Sequence, residues 1–148
     1  MARNQASIER RLMREAIEDR KEAVKNLRYQ KYLLKQNETE RAQALKQAKS
    51  EKTRNVMNRN FDEAARKIRK TMRYIMDGVM SRDQQRIRDM ADSYFGETED
   101  VSPERMQKAI DVAKQRYYKG TGLKELSYEN MYTKQPKQGS TSNSKKTE

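Results

Sequence analysis

No proline occurs between residues 1 and 102, and a single glycine, Gly78, occurs between residues 1 and 95. Glycine costs about 1 kcal/mol in a helix interior and proline about 3, so nothing in that stretch obliges the backbone to leave a helix. The chain is expected to be all-α and elongated. Long helices, arranged as a helical hairpin or partial coiled coil, would precede a small C-terminal helical segment and a flexible tail.

One helix from 7 to 56 would be roughly 75 Å long at 1.5 Å per residue, too long for a compact small domain. A break is therefore expected at residues 36–40, where Asn37 and Glu40 stand in capping-box spacing. Asn60 and Glu63 form a second candidate cap. After it, Phe61, Ala65, Ile68, Met72, Ile75 and Val79 repeat at spacings of 4, 3, 4, 3 and 4, the clearest packing seam in the chain. Beyond Gly78 the apolar register moves by one residue, to Ile87, Met90, Ala91, Tyr94 and Phe95, which predicts a kink or short break at 78–82. In the first segment Met13, Ile17, Val24, Leu27, Leu34, Leu45 and Ala48 share one a/d register, interrupted by Arg20, Lys31, Glu38 and Arg41.

Gly96 is placed to end a helix, and residues 97–101 form an acidic connector. Ser102-Pro103-Glu104 then supplies an N-cap, a first-turn proline and an acid at the positive helix end. The helix that follows presents Met106, Ile110, Ala113 and Tyr117 and is expected to stop near Lys119-Gly120, with Leu123, Leu126, Tyr128, Met131 and Tyr132 folding back. These signals divide the chain into 1–58, 59–96, 97–133 and a Lys/Gln/Ser/Thr/Asn-rich basic tail at 134–148.

Leu, Ile, Val and Phe total only 20 of 148 residues, too few for a large self-sufficient core. Ala, Glu, Lys, Leu and Arg total 67, close to the composition of long helices. Helix short of core implies protein partners or self-association, with Phe61, Ala65, Ile68, Met72, Ile75 and Val79 as the partner-packing seam.

The net charge is +12, and residues 41–73 hold 11 basic against 3 acidic side chains. A block of that kind attracts polyanions, where a dispersed excess would mainly serve solubility. Arg66, Arg69, Lys70 and Arg73 fall on the helix side away from the seam, at 100° per residue, while Lys46, Lys49, Lys52, Arg54 and Arg59 scatter around a polar helix. These nine cations are the candidate nucleic-acid contacts, suited to non-specific phosphate binding rather than base reading. The bland alternative is a solvated face. Tyr117, Tyr118, Tyr128 and Tyr132 lie among Lys114, Arg116, Lys119 and Lys124, a set able to stack on unpaired bases, although packing is the commoner use of such aromatics.

The chain contains no His and no Cys, which removes the usual general base, thiolate chemistry and the commonest zinc ligands. Asp89/Asp92 and Glu97/Glu99/Asp100 lack a calcium-loop pattern, and Gly120-Thr121-Gly122 is too short for a phosphate loop. No catalytic residue, metal, cofactor or small-molecule substrate is expected. No apolar stretch approaches a membrane span, and no leader is readable before Arg10-Arg11, so the expected setting is the cell interior or a virus particle rather than secretion.

Small size, absent Cys and His, long charged helices, the acidic elbow and the Ser/Lys tail together resemble small accessory proteins of bacteriophage particles, such as scaffolding, inner-core or packaging components. The resemblance is one of type and carries no diagnostic motif. It implies a non-enzymatic structural role in a virion or its assembly intermediate; a nucleic-acid-binding regulatory protein or a host coiled-coil adaptor has much the same composition.

Overall fold

The computed structural model describes residues 2–130. It is all-α: α1 spans Ala2–Gln47, α2 spans Glu51–Asp92, and α3 spans Pro103–Thr121, followed by a single 3₁₀ turn at Tyr128–Asn130. The basic tail at 134–148 and the fold-back residues Met131 and Tyr132 lie outside the described residues.

The long helices form an antiparallel hairpin. Asn37 faces Phe61, Arg41 faces Asp62, and Arg20 faces Asp83 across it. The turn sits at residues 48–50, not at 36–40. Ser50 is the N-cap of α2, with its hydroxyl accepting from the Thr53 amide at 3.1 Å. Asn37 is no cap: it is buried in the hairpin seam, where its side-chain amide donates to the Phe61 carbonyl at 2.9 Å. Asn60 and Glu63 likewise lie inside α2, and Glu63 pairs with Arg66. The turn thus falls inside the segment 1–58, and residues 51–58 already belong to α2.

α2 runs without a break through residues 78–82. Its buried positions continue at heptad spacing from Met76 and Val79 to Asp83, Ile87 and Met90. The apparent change of register arises because Asp83, an acid, occupies a core position. Gly78 has a different use: a Cβ there would stand 2.8 Å from the Arg82 guanidinium, which lies over the helix to reach Asp19. In α1 the buried face is Leu12, Ala16, Arg20 and Ala23, one residue away from the expected Met13, Ile17 and Val24, and Ile17 is exposed.

The 61–79 seam, expected to wait for a partner, is covered by the chain's own α1. Ala65, Met72 and Val79 are buried, Phe61, Ile68 and Ile75 are half-buried, and Leu27, Leu34, Ile68 and Leu126 pack around Met72 and Met76.

α2 ends at Asp92 with Ser93 as its C-cap, and the chain turns into residues 97–101, where the Gly96 amide donates to Glu99 Oε1 at 3.1 Å. The expected Ser102 cap is present, accepting from the Arg105 amide at 3.2 Å with Pro103 in the first turn. α3 ends two residues later than expected, at Gly122, whose φ of 71° is the left-handed conformation that glycine adopts without strain. Gly120 instead lets α3 approach the Met13 side chain.

α3 lies against the open end of the hairpin, burying Ala109, Ala113 and Tyr117 on Leu12, Ala16, Ile87, Met90 and Ala91. From Gly122 the chain runs back toward the turn. The Lys124 carbonyl accepts from Arg20 Nη1 at 2.8 Å, Leu126 packs by Met72 and Met76, and the Tyr128 hydroxyl donates to Asp77. The result is a three-layered proximal end and a two-helix distal arm.

Candidate nucleic-acid interface

Both halves of the arm are helical up to the turn at residues 48–50, so its side chains, Lys49 and its two neighbours apart, are held on two antiparallel rods rather than on a loop. Residues 25–78 carry 15 basic and 6 acidic side chains, whereas residues 2–24 and 79–130 together carry 15 and 15. The described protein is therefore a dipolar rod, neutral at the three-layered end and +9 along the arm. Charge concentrated on a thin element gives a stronger local field than the same charge spread over a globule.

All nine cations singled out in the sequence, Lys46, Lys49, Lys52, Arg54, Arg59, Arg66, Arg69, Lys70 and Arg73, are exposed. Three of them have local contacts. Arg66 pairs with Glu63, Arg54 donates to the Ala48 carbonyl at 3.3 Å beside the turn, and the Arg73 guanidinium lies 5.5 Å from the Tyr128 ring centroid. Lys46, Lys49, Lys52, Arg59, Arg69 and Lys70 make no ion pair among the described residues. Arg41 takes up two of the arm's acids, Asp62 at 2.9 Å and Glu38 at 3.5 Å, while donating to Asn58 at 3.1 Å. Most of the positive charge thus faces solvent uncompensated.

The tyrosines behave differently from the cations. Tyr117 is fully buried and Tyr118 meets it edge-on at 5.1 Å, so these two rings pack, whereas Tyr128 stays exposed with its hydroxyl on Asp77 and the Arg73 guanidinium near its ring. Tyr29, Tyr32 and Tyr74 are exposed as well, and all three lie on the helices of the arm.

A polar cluster at the proximal end escaped the sequence reading. Asp83, 3% exposed, accepts from Arg20 Nη2 at 2.9 Å, from Arg86 Nη1 at 3.2 Å and from the Tyr117 hydroxyl. Asp19 receives Arg82 through two nitrogens at 2.8 and 2.9 Å, and Arg86 Nη2 at 2.8 Å. Burial pushes the Asp19 carboxyl up, but the two guanidinium ions outweigh it and hold the group below its ordinary range. Burial first, and then the Asp83 carboxylate, push the Tyr117 hydroxyl well up. Nearer the open end, buried Glu9 accepts from Arg116 at 2.6 and 3.1 Å and from the Tyr94 hydroxyl at 3.2 Å. Tyr94 is pushed up to about 12 by burial and the Glu9 charge. The sequence signal was present: Arg20 interrupts the α1 register and Asp83 the α2 register, and the two interruptions pair with each other. Arg20 Nε is buried without a hydrogen-bond partner among the described residues.

These ions pair with one another across α1, α2 and α3, so the cluster holds the helices together. Glu99 is likewise engaged, by the Gly96 amide and by Arg105 at 3.0 Å, which lower its pKa in that order. Among the described residues no group of three or more His, Cys, Asp or Glu side chains is placed to hold a metal ion, and no helix is long and apolar enough to cross a membrane. Comparison with protein-family models, curated proteins and solved structures gives no match.

Proposed function

We propose that this is a non-enzymatic structural or assembly protein whose distal arm contacts nucleic acid through the phosphate backbone. The observation that carries this reading is the segregation of charge: +9 along residues 25–78 against zero over the rest of the described chain. Cations spread over two long helices match a polyanion's repeating charge and have no arrangement that would read base edges. The neutral proximal end is the part left to meet protein partners or a second copy without charge repulsion. The setting that fits the resemblance is a bacteriophage particle or its assembly intermediate, as a scaffolding, inner-core or packaging accessory.

The test is mass measurement in solution, with and without DNA, at low and moderate salt. With six phosphate contacts, affinity for duplex DNA should fall roughly a thousandfold or more between about 50 and 200 mM salt. Changing Arg66, Arg69, Lys70 and Arg73 together to Gln should leave helix content nearly intact and weaken binding, with a shallower dependence on salt. A wild-type protein that forms no salt-sensitive complex overturns the proposal; unchanged affinity in the fourfold variant moves the contact to other cations of the chain.

A further inference from the structure

Three large aromatic rings stand in solvent on an arm that has little use for them in packing. Tyr29 is 58% exposed, Tyr32 54% and Tyr74 78%; Tyr128, at 46%, is tied by its hydroxyl to Asp77 and lies by the Arg73 guanidinium. Tyr29 and Tyr32 lie three residues apart on α1, hence side by side on its surface, and stack on each other at 6.4 Å with 25° between their planes. Tyr74 belongs to the same level of the hairpin. Residue 29 falls midway between Arg20 and Asn37, and residue 74 close to midway between their partners Asp83 and Phe61. Tyr74 and Asn26, three residues before Tyr29, line one groove between the helices.

The charge around the rings is nearly all of one sign. Residues 25–35 and 67–77 hold eight cations and a single acid, Asp77, which accepts from Tyr128. Where the groove continues to the proximal side it meets Glu22 and the Asp19–Arg82 ion pair. Open π-faces flanked by cations are what a polynucleotide with unpaired bases needs, because each base offers a face to stack on and each phosphate a charge. A duplex hides its base faces and would use the cations alone.

We propose that this face of the arm binds single-stranded nucleic acid, with unpaired bases stacking on Tyr29, Tyr32 and Tyr74 and the phosphates running over Lys25, Arg28, Lys67 and Lys70. It rests on the polyanion-binding reading of the arm and narrows it to a strand class. The probes are a labelled oligothymidylate and a labelled duplex, each of about 20 units, followed by fluorescence anisotropy at one low salt concentration. Tyr29→Ala with Tyr32→Ala should weaken oligothymidylate binding about tenfold or more and leave duplex binding within about twofold. Tyr29→Phe with Tyr32→Phe, which keeps the π-faces, should restore it, and Tyr74→Ala should weaken the same probe further. An unchanged oligothymidylate affinity in the alanine variant, or an equal loss on both probes, overturns the stacking proposal. Wild type binding the duplex but not the single strand also overturns it while leaving the arm's polyanion role standing; binding to neither overturns both. Because the rings are exposed, circular dichroism should show unchanged helix content.

Discussion

The proximal end and the distal arm are built from the same two helices, yet they are held together in different ways. At the proximal end three layers enclose Leu12, Ala16, Ile87, Met90, Ala91, Ala109, Ala113 and Tyr117, and paired ions join all three helices around Asp83 and Glu9. In the arm beyond Leu34 and Ile68, the buried side chains are Asn37, Ala48 and Ala65. Small side chains allow α1 and α2 to approach but bury little area, so each residue there contributes less to stability. The comparison teaches that this chain concentrates its scarce apolar residues at one end and its excess charge at the other. The end that is stable can stay neutral, and the end that is charged is left thin.

The largest effect should come from Asp83→Ala. It would strand Arg20 in a buried site, while Arg86 keeps Asp19, and one-sided loss of a buried pair costs about 3–5 kcal/mol. Urea unfolding should show the loss as a lower midpoint. Replacing Arg20 and Asp83 together by apolar residues of similar size should recover most of it, because the desolvation of both ions is then removed.

Alkaline solution provides a milder way to loosen the same end. Tyr94 and Tyr118 are pushed up to about 12, chiefly by burial, whereas the unfolded chain releases these protons near 10. A raised folded-state pKa stabilises below the unfolded value, so stability should fall as pH rises from about 10 toward 12. Asp19 works in the opposite sense. Its depressed pKa contributes stability above the usual carboxylate range that is lost as pH falls through the folded value. Thermal melts across pH should show both flanks, and the Asp19→Asn variant should lose part of the acid one.

Asn37→Ala tests the arm in isolation. It removes one hydrogen bond to the Phe61 carbonyl, and a cost of about 1 kcal/mol is expected. Hydrogen exchange should speed up in residues 37–65 and stay unchanged in α3, since the arm can open without the proximal end. The smallest effect belongs to Gly78→Ala, where about 1 kcal/mol of helix propensity is offset by displacement of the Arg82 guanidinium from Asp19. A net change within about 1 kcal/mol in urea unfolding is expected.

Much of the fold could be read from residue order. The missing prolines imposed long helices, Ser102-Pro103 marked the start of α3, and the 61–79 spacing identified a buried face. What the sequence did not reveal were polar residues doing an apolar residue's job. Asn37, Arg20 and Asp83 sit in the seam, but a periodicity test scores them as gaps, and their partners lie 24 and 63 residues away. The same blindness turned one continuous α2 into two expected pieces and placed the turn at Asn37 rather than Ser50. For the candidate site, the basic block was legible because charge can be counted without a fold. The exposed tyrosines were not, since exposure depends on which side of a helix meets its neighbour. Of the rings that drew notice, the fold buries Tyr117, sets Tyr118 against it and ties the still exposed Tyr128 to Asp77.

The spacing of contacts across the hairpin also bears on how the chain folds. Arg41 reaches Asn58 across 17 residues, Asn37 reaches Phe61 across 24, Arg20 reaches Asp83 across 63, and Arg20 reaches Lys124 across 104. Loop-closure entropy rises with the logarithm of that separation, which favours contacts near Ser50 forming first and the hairpin zipping from tip to open end. The thin, charged arm, which contributes least to the finished structure, would then be the guide along which the rest of the molecule aligns. Shortening or stiffening the turn should accelerate folding more than it raises stability.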